Sequence, residues 1–125
     1  MKIFTTVLDA NEAIEKLLSA VETEGMRVVA HINGQANAAK IGKTVPADQI
    51  LEIFRPDFAI RVWDACKAAG YDIPLRIHVY EEGKKTKVAC RMPTETFLPY
   101  ESADLMKVAE ELDIIFSSIL ASVSE

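Results

Sequence analysis

Cysteine is scarce in this 125-residue chain, with only Cys66 and Cys90. Two thiols cannot build the cross-linked framework of a small secreted module. Neither they nor His31 and His78 fall in a Cys-x-x-Cys or His-x-x-x-His spacing that would hold a metal. Glycine and proline number five each, and there is no linker, internal repeat or low-complexity tract. No apolar run approaches the roughly 18 residues that a membrane span needs. The opening Met1-Lys2-Ile3-Phe4-Thr5-Thr6 leads into an amphipathic pattern, not the apolar core of a signal peptide. Positive charge is not in excess, since the net charge is −5. That disfavours a general nucleic-acid binder, whose affinity comes from phosphate neutralisation. The expectation is one soluble, cytoplasmic domain with no nucleic-acid or membrane partner.

What is present is a core. Half of the residues are apolar, and Leu, Ile, Val and Phe make up 36 of the 125. A chain of this length buries about two-thirds of its unfolded surface, so it folds without staples. The elements follow from periodicity. Met1–Val7 is short and β-leaning. Asp9 and Glu12 form an acidic capping box ahead of Ala10, Ile14, Leu17, Leu18 and Val21 at helical spacing. Gly25 is a left-handed stop. Met26–Ile32 is continuous and β-rich, which predicts a strand buried on both faces. Asn33-Gly34 breaks it, and the Ala-rich segment 35–41 makes two helical turns closed by Gly42.

Ile50–Phe54 is a third strand, and Pro56 suits a first helical position. The stripe Phe58, Ala59, Val62, Trp63, Cys66, Ala69 predicts a helix running to Gly70. Leu75–Glu81 alternates strictly, Glu82-Gly83-Lys84 turns, and Thr86–Met92 returns, which makes a β-hairpin. After an irregular stretch, Ser102 caps a long final helix. The order β-α-β-(α)-β-α-β-β-α, with a hairpin, excludes a doubly wound parallel sheet. It predicts an α+β two-layer sandwich: a mixed or antiparallel sheet with helices packed on one face.

Three segments give this pattern a family resemblance. They are Leu51-Glu52-Ile53-Phe54-Arg55-Pro56, the stretch Asp72-Ile73-Pro74-Leu75-Arg76-Ile77-His78-Val79-Tyr80-Glu81, and Ala109-Glu110-Glu111-Leu112-Asp113. With Asn33-Gly34-Gln35-Ala36 before them, the chain resembles the bacterial and archaeal domain of unknown function, family 302, over roughly residues 1–121. The resemblance implies a compact α+β domain of a kind that often forms homodimers, with no general activity or cofactor. Many members of that family carry Asp-His where this chain has Asn33-Gly34, and many carry Asn where it has Arg55. No functional residue is therefore carried across.

Several constellations could bear chemistry. Asn37–Thr44 has the spacing of a phosphate-binding P-loop, but Asn37 replaces the first glycine, and the Gly-Lys-Thr reads better as a helix end. Cys66 and Cys90 sit in apolar stripes and read as small buried hydrophobes. His78 points away from Cys90, against a Cys–His nucleophile. Glu81-Glu82 and Glu110-Glu111 are adjacent, so each pair diverges.

The charge distribution says more. Residues 25–94 carry 11 basic and 7 acidic side chains, and residues 95–125 carry 1 and 7. Alternation puts Arg76, His78 and Tyr80 on one sheet face with Lys85, Lys87 and Arg91, which predicts a basic, partly aromatic outer face that Arg55 extends. That face reads as a solvated surface, as a contact with acidic helix residues of a second copy, or as a site where arginines hold an anion. The loop Asn33–Asn37 adds amide side chains around a turn.

The leading expectation is a non-enzymatic, homodimeric binding or accessory protein without a cofactor or metal. Its small polar or anionic ligand would lie near Asn33, Gln35, Arg55, Arg76, His78 and Arg91. Two alternatives stay open. One is an enzyme with His78 as acid/base and Arg76 or Arg91 stabilising negative charge. The other is an interaction module using the acidic last helix.

Overall fold

In the computed structural model, which describes residues 1–124, five strands form one sheet. They are β1 (Lys2–Thr6), β2 (Arg27–Asn33), β3 (Asp48–Phe54), β4 (Leu75–Glu82) and β5 (Lys85–Cys90). The order across the sheet is β1-β5-β4-β3-β2, and every neighbouring pair is antiparallel. The helices are α1 (Ala10–Thr23), α2 (Gly34–Ala39), α3 (Pro56–Ala65), α4 (Pro93–Phe97) and α5 (Ala103–Ala121). The α+β class and the helix-covered sheet stand as the sequence predicts.

Local chemistry sets the element ends. Asp9 accepts from the Glu12 amide at 2.8 Å while Glu12 accepts from the Asp9 amide at 3.0 Å, so the capping box closes. At the far end of α1, Gly25 takes φ +73°, and Met26 N–H reaches back to the Val21 carbonyl at 3.0 Å. Lys43 N–H does the same to the Ala38 carbonyl past Gly42, at 3.0 Å. The segment with P-loop-like spacing is thus a helix C-terminus. Gly83 and Lys84 both have positive φ, 60° and 65°, the primed turn that joins β4 to β5.

The inner sheet face carries Leu51, Ile53, Leu75, Ile77, Val79, Val88 and Cys90, all buried. They form one core with Leu17 and Val21 of α1, Phe58 and Val62 of α3, and Leu105, Leu112, Phe116 and Ile119 of α5. The outer face is uncovered.

Three expectations change. β2 is not buried on both faces: it is an edge strand, and Val29 and Ile32 stand exposed. Its apolar run reflects an uncovered sheet face instead of a sandwiched position. α3 stops at Ala65, because Cys66 turns to φ −160°, ψ 103° and a 3-10 turn spans Lys67–Asp72. That turn folds back until Gly70 lies under the Trp63 indole, only 3.0 Å from where a Cβ would stand. The irregular stretch before Ser102 contains the short helix α4. Asp113 of α5 holds it, accepting from the Thr94 amide at 3.0 Å and the Thr94 hydroxyl at 2.6 Å.

Candidate anion-binding cleft

β4 and β5 bring the two nominated arginines together. His78 pairs with Ala89. The same register carried on by two residues sets Arg76 opposite Arg91, just past the end of β5. Two like charges directly opposed across a strand pair repel. Arg76 has a partner, since its Nη2 donates to Glu52 Oε2 at 3.1 Å on the neighbouring strand. Arg91 forms no ion pair among the described residues. Both side chains line a cleft of about 300 Å³ whose other walls are Tyr71, Asp72, Ile73, Pro74, Leu75 and Thr96. The 3-10 turn after α3 supplies Tyr71 and Asp72, and α4 supplies Thr96.

The rest of the outer face is mixed in sign, not basic. His78 Nε2 lies 3.0 Å from Asp48 Oδ1 and its ring stacks on Tyr80, with centroids 4.6 Å apart. Lys87 Nζ lies 3.8 Å from Glu82. Asp48, Glu52 and Glu82 occupy the same face as the bases, and alternation along β4 and β5 alone does not show the acids that β3 places there. His78 does not line the Arg76–Arg91 cleft.

Arg55 lies elsewhere. It precedes α3, donates from Nε to Asp57 at 2.7 Å and from Nη1 to the Glu24 carbonyl at 3.3 Å, and stacks 4.4 Å over the Phe58 ring. The guanidinium beside Asp57 holds that carboxyl below its usual range. Arg55 does not extend the sheet face: it ties the end of α1 to the start of α3. Asn33 caps α2, accepting from the Ala36 amide at 2.9 Å. Gln35 donates to the Val45 carbonyl at 3.0 Å. Of the six nominated residues, then, the fold unites Arg76 and Arg91 and leaves Asn33, Gln35, Arg55 and His78 outside their cleft.

The profile of a domain of unknown function, DUF302, matches residues 3–123. The chain belongs to the DUF302 family. A similar solved structure is that of the uncharacterized conserved protein DUF302 from Bacillus stearothermophilus. It superposes with a TM-score of 0.87 at 24% identity, covering 98% of this chain and 96% of that one. This likeness carries the fold. No curated protein is significantly similar in sequence.

Sequence reasoning passed over the cleft residues of the DUF302 chain that are not basic. Asp72, Tyr71 and Thr96 come from two separate turns, and no periodicity ties them to β4. A second polar feature lies on β3. Gln49, 2% exposed on the inner face of β3, bridges His31 and Asn11. Its Oε1 lies 2.7 Å from His31 Nε2, and its amide donates to Asn11 Oδ1 at 3.1 Å. Next to it, Asn11 and Gln35 line a smaller hollow of about 160 Å³ together with Asp9 and Glu81. An apolar notch beside Phe58 holds only about 20 Å³, room for little more than a water molecule. No group of three or more His, Cys, Asp or Glu side chains converges on one point among the described residues. No helix is long and apolar enough to cross a membrane among those residues.

Proposed function

We propose that this DUF302 domain is a non-enzymatic, homodimeric binding protein for a small anion held between Arg91 and Arg76. The observation that carries the reading is the cleft itself. Arg76 and Arg91 line one hollow, and Arg91 has no carboxylate partner among the described residues. A carboxylate or phosphate there would accept bidentate, charge-assisted bonds and relieve the repulsion between the arginines. The dimer reading draws support from the uncovered sheet face, where Ile3 and Ile32 are exposed, and from the open edge of β2. Against the rival acid/base role for His78, that ring is held by Asp48 and stacked on Tyr80.

Native mass spectrometry of gently purified protein, together with melting curves in acetate, citrate and phosphate, tests this. We expect a dimer and a rise in Tm with at least one of the anions at constant ionic strength. Arg91→Ala should abolish that rise. A wild-type melt indifferent to all three anions, with no retained small molecule, removes the binding reading. A bare monomer at every concentration removes the dimer.

A further inference from the structure

The Arg76–Arg91 cleft also holds one negative charge, set apart from the positive ones. Asp72 lines the same hollow, yet neither arginine reaches it within ion-pairing distance. Its Oδ2 accepts from the Tyr100 hydroxyl, and its Oδ1 has no hydrogen-bond partner among the described residues. The bond to Asp72, with burial, pushes the Tyr100 phenol up to about 12, so it stays a donor at neutral pH and holds the carboxylate in place. Beside Asp72, the Tyr71 ring is 90% exposed and has no packing partner among the aromatic contacts of the described residues. A carboxylate next to an open aromatic face suits an ammonium group. Ile73 and Pro74 add apolar lining to the same hollow.

A simple anion in this cleft would satisfy the arginines but feel Asp72 as a like charge. A simple cation would satisfy Asp72 and meet two guanidinium groups. Only a ligand carrying both signs matches both walls without adding net charge.

We propose that the cleft takes a small zwitterion of the amino-acid type. Its carboxylate lies between Arg91 and Arg76, and its ammonium lies on Asp72 Oδ1 and the face of Tyr71. This narrows the anion-binding reading above and rests on it.

The experiment is an amide-resonance titration of the full chain with two matched pairs of probes. These are L-phenylalanine against 3-phenylpropionate, and L-alanine against propionate. Within each pair the acid differs from the amino acid only by the α-ammonium. In the wild type, the amino acid of at least one pair should bind about tenfold tighter than its acid, the equivalent of about 1.4 kcal/mol. The shifts should centre on residues 71–76, 91 and 96. Asp72→Asn, which keeps an acceptor for Tyr100, should erase the preference while leaving the acid's affinity unchanged or improved. Arg91→Ala should weaken both members of the pair. The spectra also report whether each variant is folded.

If acid and amino acid bind equally well, the zwitterion inference falls and the anion reading survives. A preference that persists in Asp72→Asn overturns the role given to that carboxylate. If no probe moves the cleft resonances at millimolar concentration while phosphate still raises Tm, the inference falls alone. If phosphate also fails, both fall together.

Discussion

At the scale of single residues, the chemistry here is decided by who stands opposite whom. Asp72 and Tyr100 illustrate it: they are 28 positions apart and meet in a hydrogen bond. The bond favours the protonated phenol, which is why the Tyr100 value rises to about 12 from an ordinary value near 10. Such a group contributes fully below its unfolded value, and the contribution is lost as pH rises through about 12. An ultraviolet titration should therefore show one tyrosine ionising near 12. Asp72→Ala, which removes the acceptor, should bring that transition back toward 10, and the stability of the variant should fall less between pH 10 and 12 than that of the wild type. An unmoved transition in the variant would mean that burial alone, and not the carboxylate, raises the phenol. The same scale shows what a sequence hides. Cys90 is legible as a buried hydrophobe, and burial indeed pushes its thiol up to about 12. Gln49 is not legible. Nothing in Asp48-Gln49-Ile50 says that its amide turns inward to join His31 on β2 and Asn11 on α1, because both partners are remote in sequence.

At the scale of elements, local signals were nearly sufficient. The capping box of α1, both glycine helix ends, Pro56 at the start of α3, the Ser102 cap and the primed hairpin turn are all short-range chemistry, and all stand where the pattern puts them. Losing such a cap has a known magnitude. Asp9→Ala removes the side-chain acceptor for the Glu12 amide while keeping the backbone donor for the returning bond, so it should destabilise the fold by about 1 kcal/mol. The measurement is a urea midpoint that shifts with the slope unchanged. Ala10, Ala13 and Ile14 of the same first turns are buried against the core, so fraying there is coupled to the global transition. If the midpoint of Asp9→Ala matches the wild type, that coupling is absent. Where element reading failed, tertiary contact had overruled propensity. The stripe through Trp63, Cys66 and Ala69 continues in helical register past Ala65. The chain nonetheless breaks, and Trp63 lies over Gly70 instead of facing the core. α4 was invisible because five residues carry no periodicity and its anchor, Asp113, sits on another helix.

At the scale of the whole molecule, strand order decides both the surface and its partners. Alternation along β4 and β5 correctly separated an inner row from an outer row. It could not say that β3 lies beside β4 with Glu52 opposite Arg76 and Asp48 opposite Tyr80. That register turns a basic face into one of mixed sign, and among the described residues Arg91 and Lys85 form no ion pair on it. Order also makes β2 an edge, with seven residues of backbone open on one side. Natural edges are blunted by charge, proline or bulges, and β2 has a bulge between Val28 and Ala30 and a single charge, at Arg27. Val29 at the bulge and Ile32 beyond it remain exposed. If the proposed dimer forms along this edge, one lysine there should break it. Val29→Lys places a charge on an exposed position, so its folding free energy should change by less than about 0.5 kcal/mol. The wild type should sediment as a dimer at micromolar concentration and the variant as a monomer with the same circular dichroism. A variant that remains dimeric moves the interface away from β2 and onto the sheet face around Ile3, which an Ile3→Lys variant would then have to disrupt.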